Sequence, residues 1–363
     1  MRRWAAGLLA AAAALALAAP AGAATRRQLQ DAAFAVPTPT APIRDAVIDR
    51  TTRAYARVAR AGGPLARYPV NDGSGNTVDV TVSATCSVLC SAADPQTIAT
   101  FLGSLPHGSE INLLSVELVT PAEIAASCGS GAQACYFPGD QAMLINGNDT
   151  TAPDGASREY VIAHEYGHHM ANNRNNAPFD NPAVDWGPKN WASWAGVCPG
   201  VRSGRFFPGD EGAHYFQNPG EAFAEAFAHN RFPSDPVPWE WPDFPAPDTN
   251  AYAAIQRDAH DPWNGPDTAK RRGHFPRKRK RPKRKTKQFS TPRDGDLTIN
   301  LTGPDRADLS LKLFAGGQLI ARSDGVGSQE SASYRICGER SVTAVVRRHG
   351  RKLTRFRLTG LVP

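Results

Sequence analysis

The stretch Tyr160-Val-Ile-Ala-His164-Glu165-Tyr166-Gly167-His168-His169 sets two histidines four residues apart, with a glutamate directly after the first. Residues 157–172 are predicted to form one helix. Side chains four apart share a helical face, so His164 and His168 can present imidazole nitrogens to one metal ion. Glu165 falls at the flank of that face. There it can take a proton from a metal-bound water, whose pKa zinc lowers to about 7. His169 lies off the ligand face and is expected beside the site or on the surface.

A catalytic zinc needs a third protein ligand and one open position. The extended pattern H-E-x-x-H-x-x-G-x-x-H is not met, because Ala171 and Arg174 stand where glycine and histidine are required. His214 is available from a loop. The segment Asn218-Pro-Gly-Glu221-Ala-Phe-Ala-Glu225-Ala-Phe227 is predicted to open a second helix running to about Asn230. Its Glu221 and Glu225 share one face. One carboxylate can bind metal while the other accepts the remaining N–H of a ligand histidine. Glu221 is also three residues after Asn218, the place of a capping-box carboxylate, which would leave Glu225 as the ligand.

H-E-x-x-H followed about 50 residues later by a helical E-x-x-x-E resembles the gluzincin pattern of zinc metallopeptidases. The Asn218–Phe227 segment is similar to the glutamate helix of anthrax lethal factor-like peptidases. The resemblance spans 164–225. It implies Zn2+ held by His164, His168 and Glu221, with Glu225 as outer partner of a ligand histidine and Glu165 as general base. It also implies an upstream tyrosine that hydrogen-bonds the oxyanion, for which Tyr215 is the nearest match. By the same resemblance, the strand Ala142–Ile145 is the edge that pairs with an extended peptide substrate.

Outward from these motifs the chain is predicted to be α+β: a zincin-like metallopeptidase domain at 43–269, then a small all-β sandwich at 288–363. Apolar residues at helical spacing predict a helix over 43–60. Strands are predicted at 78–82, 111–119 and 141–146, and helices open at Asp94-Pro95 and Thr120-Pro121. Residues 173–217 show no clear period, and the proline-rich 233–269 is expected to wrap the surface. From Phe289 onward apolar residues alternate, with hairpin turns expected at Gly316-Gly317 and His349-Gly350.

Arg2-Arg3, the apolar run Ala5–Ala19 and Ala21-Gly22-Ala23 are laid out as a secretory signal peptide over 1–23, with 24–42 a linker or propeptide remnant. No later apolar run is long enough to span a membrane. Six cysteines in an exported chain favour disulfides, and proximity favours Cys86–Cys90 and Cys128–Cys135. Cys198 and Cys337 either pair across domains or stay free.

The net charge of +7 is unevenly spread. Residues 24–269 carry 15 basic and 27 acidic side chains, whereas 270–287 carry 12 basic and none acidic. Such a block repels itself and is expected to be an extended linker, with affinity for an anionic cell-envelope polymer. The chain is therefore expected to be a secreted zinc metallopeptidase acting on protein or peptide. The alternative is a cell-surface or polyanion-binding protein with a degenerate zincin fold.

Overall fold

The computed structural model describes residues 66–149, 151, 155–233, 237–276, 283–350 and 354–363. The predicted signal peptide, the 24–42 segment and the helix over 43–60 lie outside the described residues.

The first half is built on a five-stranded sheet of β1 (Ala66–Pro69), β2 (Thr77–Val82), β3 (Ser115–Val119), β4 (Ala134–Phe137) and β5 (Ala142–Asn146), in the order β1-β2-β3-β5-β4. β2, β3 and β5 run parallel, and β1 and β4 close the sides antiparallel. The short α1 (Cys86–Leu89) follows β2. Then comes α2 (Pro95–Leu102), which starts where Asp94 accepts from the amides of Gln96 and Thr97. α3 (Pro121–Cys128) carries a full capping box between Thr120 and Glu123. Against the sheet lies α4 (Arg158–Asn172), capped by Ser157 through the Tyr160 amide.

Two strand expectations are corrected. Residues 111–119 do not form one strand: Ser109–Leu113 is a 3₁₀ turn, and the strand begins at Ser115. The side chain of Asn112 accepts from the Thr77 amide and donates to Asn76, while Arg174 holds Glu110 inside, so this segment is fixed as a turn. Ala142–Ile145 is no edge either. It pairs with β3 on one side and with β4 on the other, which leaves β4 as the outer strand.

After α4 the chain is helical, including the parts that showed no period. α5 (Lys189–Ala195), α6 (Val197–Arg202), a 3₁₀ turn at Tyr215–Gln217, α7 (Pro219–Arg231) and α8 (Thr249–His260) pack on the same core. The proline-rich segment does not simply wrap the surface. Val237, Trp241, Phe244, Ala254 and Ile255 are buried, and the Phe244 ring stacks on Phe206 with centroids 3.9 Å apart. Prolines there shape turns that deliver aromatic side chains inward.

The second half is a β-sandwich of β6 (Asp267–Phe275), β7 (Arg284–Ser290), β8 (Gly295–Thr302), β9 (Leu309–Ala315), β10 (Gln318–Ser323), β11 (Gln329–Ile336), β12 (Ser341–Arg348) and β13 (Thr354–Val362). One antiparallel sheet runs β10-β9-β12-β7 and the other β11-β8-β13-β6, and their apolar faces share one core. The expected linker at 270–287 is thus corrected at both its ends, while 277–282 lie outside the described residues. Residues 267–275 and 284–290 are strands, and the sandwich begins at about 267 rather than 288. The charge block is compatible with strands because β6 and β7 are edges, where cationic side chains deter pairing with other chains. Arg271, on the inner side, lies over the Phe289 ring at 5.4 Å. The β9–β10 hairpin turns at Gly316-Gly317, both at positive φ (54° and 83°), which glycine adopts without strain. His349-Gly350 is not a hairpin turn. It leads from β12 in one sheet to β13 in the other.

Three disulfides are present: Cys86–Cys90, Cys128–Cys135 and Cys198–Cys337. The third joins the helical region to the sandwich. Around it Arg202 donates to the Cys337 carbonyl (2.8 Å), and Arg340 bridges Asp294 (2.6 Å) and the Ser193 carbonyl (2.5 Å). Gly147 faces the first bridge so closely that a Cβ there would lie 2.2 Å from the Cys86 sulfur. Three bridges place the chain in an oxidising environment. Among the described residues no helix is long and apolar enough to cross a membrane.

Candidate metal centre

α4 and α7 cross at Gly167. A Cβ at that position would lie 2.8 Å from Ala224 Cα and 3.2 Å from Phe227 Cβ, so the bare glycine is what lets the backbones approach. Alanines 222, 224, 226 and 228 keep α7 equally slim and are all fully buried. α7 starts where the Asn218 side chain accepts from the Gly220 amide, with Pro219 in the first turn. Asn218 thus has a cap partner other than Glu221, and the Glu221 carboxylate is turned toward the histidines.

His164, His168 and Glu221 converge, and among the described residues they form the group with the reach to hold a metal ion. His164 Nε2 is 3.2 Å from His168 Nε2, and each lies 3.4 Å from Glu221 Oε2. Ligands about 2.0–2.1 Å from a tetrahedral zinc are separated from one another by roughly 3.3–3.4 Å, so the three atoms have the spacing of three corners of such a site. The other Glu221 oxygen is buried without a hydrogen-bond partner. Burying a carboxylate costs several kcal/mol unless it is compensated, and a divalent cation would supply that compensation. The donor set fits a metal ion.

Glu225, one turn further along α7, accepts from His164 Nδ1 (3.0 Å) through Oε2 and from the Tyr160 hydroxyl (2.8 Å) through Oε1. His229 Nε2 stands 3.7 Å from the same Oε1. With the Nδ1 proton held by Glu225, the lone pair of His164 is on Nε2 and faces the other two donors. Tyr160 was absent from the sequence expectations, although the pattern contained it. Tyr160, His164 and His168 are spaced by four and occupy one helical face.

Glu165 is fully buried on α4 beside His164, and His164 is the most exposed of the group at 4%. The site therefore meets solvent at His164. Tyr215 is buried in the 3₁₀ turn ahead of α7, its ring against Phe216 and Trp241. His214, an alternative ligand, pairs instead with Asp210 (2.7 Å) and stacks on Phe207. His169 is buried rather than on the surface. Its Nδ1 meets the Tyr136 hydroxyl (3.0 Å) and its Nε2 the Glu110 carbonyl (2.9 Å), and burial lowers its pKa to about 4. It ties α4 to the sheet as a neutral ring. Arg174, where the extended motif would have histidine, pairs with buried Glu110 (2.9 Å) and donates to the carbonyls of Asp258 and Ala259.

No family model matches the chain, and no curated protein matches it. Among solved structures, the pre-peptidase C-terminal domain of a collagenase from Bacillus anthracis is similar at 11% identity and a TM-score of 0.22. The match covers 26% of this chain and 88% of that one. The Yersinia pseudotuberculosis-derived mitogen is similar at 18% identity and a TM-score of 0.22, covering 27% of this chain and 87% of that one.

Proposed function

We propose that the chain is a secreted zinc-dependent endopeptidase, its zincin-like catalytic half followed by the β-sandwich. The observation that carries this reading is the triad of donor atoms 3.2, 3.4 and 3.4 Å apart, on an H-E-x-x-H helix and a glutamate helix. His164, His168 and Glu221 would hold the ion, and two imidazoles with one carboxylate in this spacing suit zinc. Zinc, when bound, supplies Lewis acidity for peptide-bond hydrolysis.

The chain's own groups do the rest. Glu165 takes the proton of the attacking water and returns it to the leaving amine. Glu225 fixes the tautomer and orientation of His164, and Tyr160 in turn steadies Glu225. By the family resemblance, Tyr215 donates to the developing oxyanion. Export through the 1–23 signal agrees with the three disulfides. Glu165→Gln tests the assignment. Zinc content should stay near one ion per chain, while hydrolysis of casein or gelatin falls by roughly 100- to 10,000-fold. Loss of the metal with the fold intact would show that Glu165 has a different role.

One observation favours the second reading, a degenerate zincin fold whose binding surfaces are the active parts. His168, Glu165, Glu221 and Glu225 are all fully buried, so little of the site meets solvent. A zinc-loaded wild-type protein that cleaves neither casein nor gelatin would select that reading.

A further inference from the structure

We infer that the outer face of the β11-β8-β13-β6 sheet is a binding site for a linear anionic polysaccharide. A groove of about 950 Å³ runs there, and its lining includes Arg272, His274, Arg355 and Arg357 and no carboxylate. The register sets these side chains in rungs. Arg272 lies opposite Arg357 and His274 opposite Arg355, with Lys270 opposite Thr359 one rung further. All the cationic members are exposed, while Thr354, Phe356 and Leu358, alternating with them on β13, point into the core.

Successive rungs on one face of a strand repeat at about 7 Å, so the guanidinium groups form a ladder along the strands rather than a point charge. Like charges opposite one another across two strands are destabilising. Placing two arginines in one rung, next to a histidine–arginine rung, is costly for the fold alone and becomes favourable when an anion lies over it. Arginine forks bind sulfate, phosphate or carboxylate groups in bidentate fashion.

The same rungs continue into uncharged polar residues. Arg357 is followed across the sheet by Thr302 and Gln329, and Thr359 by Asn300 and Ser331. Hydroxyls and amides of this kind suit sugar hydroxyls. On the outer side of β8, Asp296 is engaged by Arg335 at 2.9 Å. Among the rung residues His274 is the one aromatic ring, whereas sites for single-stranded nucleic acid stack successive bases on several such rings.

The site is separate from the metal centre, so its test leaves the hydrolytic reading untouched. Heparin is the probe, titrated against the full-length protein at low and at physiological salt. The triple variant Arg272→Gln/Arg355→Gln/Arg357→Gln should bind heparin at least about tenfold more weakly at low salt, with a shallower dependence on log salt. Its zinc content and melting temperature serve as controls. Should it fail to fold, Lys270→Glu on the exposed third rung is expected to weaken binding in the same direction. Neutralising Arg277, Lys278, Arg279, Lys280 and Arg281 together should leave most of the affinity. Unchanged heparin binding by folded rung variants would overturn the proposal. So would oligothymidylate of matched charge, or anionic phospholipid vesicles, binding as tightly as heparin and losing as much in the triple variant.

Discussion

Replacing Gly167 by alanine adds one methyl group at the crossing of α4 and α7. It would sit 2.8 Å from Ala224 Cα, where ordinary contact begins at 3.4 Å, so the helices must part by about 0.6 Å. Ala224 presents backbone there and has no rotamer that relieves the clash. Overpacking of this kind costs about 1–3 kcal/mol, partly offset by the roughly 1 kcal/mol that alanine gains over glycine within a helix. The net loss of stability is then only about 0–2 kcal/mol, and the fold should survive. The metal site should not survive unaltered. Glu221 is three residues from Ala224 on the displaced helix, and metal–ligand distances tolerate only about 0.2 Å. Zinc affinity is expected to fall about 10- to 100-fold, as when an outer partner of a ligand is lost. Competition with a chromogenic chelator measures the affinity, and circular dichroism reports on the fold. A folded Gly167→Ala protein that holds zinc as tightly as the parent would refute the idea that this close approach positions Glu221.

Other expectations separate the remaining groups. His164→Ala, His168→Ala and Glu221→Ala should each abolish stoichiometric zinc, whereas Glu225→Gln should retain it with about 10- to 100-fold weaker affinity, as read by equilibrium dialysis against a chelator series. Equal losses from Glu221→Ala and Glu225→Gln would mean the two carboxylates do not divide the work as assigned. Lys189 is buried beneath the sandwich, its ammonium on the Ala177 carbonyl (2.5 Å) and 4.5 Å over the Trp263 ring, and burial lowers its pKa from 10.5 to about 7. Between those values the unfolded chain binds a proton that the folded one releases, so stability should rise as pH climbs from about 7 toward 10. Lys189→Met should remove that rise. Urea midpoints at pH 7 and 9.5 with the same slope in both proteins would count against it.

What could be read from residue order was the local part. Caps at Asp94, Thr120, Ser157 and Asn218 announce their helices because the capping group and the capped amides are two or three residues apart. The histidine pair and the two glutamates are likewise read from helical spacing alone. α5 shows why the rest was hidden. Its N-terminus has Pro188 in the capping place and no local side chain. Asp258 on α8 supplies the acceptor instead, binding the amides of Asn190 (3.1 Å) and Trp191 (2.8 Å) from some 68 residues away. Burial raises the Asp258 pKa to about 6. The basic tract misled for a related reason. Self-repulsion counts charges along the chain, whereas β6 and β7 lie on different sheets, and Lys270, Arg272 and Arg284 are exposed to solvent. Gly167 was visible as a mid-helix glycine, but the reason for it lies on α7.

The Cys198–Cys337 bridge spans 139 residues, whereas the other two close loops of four and seven. As the chain emerges in order from its N-terminus, the two short bridges can form as soon as their own segments appear. Cys198 has no native partner until β6 to β11 have all been made. Through that interval its thiol is exposed to mispairing with any other cysteine nearby, and the sandwich has to fold to bring Cys337 within reach. The last bridge therefore acts as a record of completion: a chain cut short before residue 337 leaves Cys198 without its native partner.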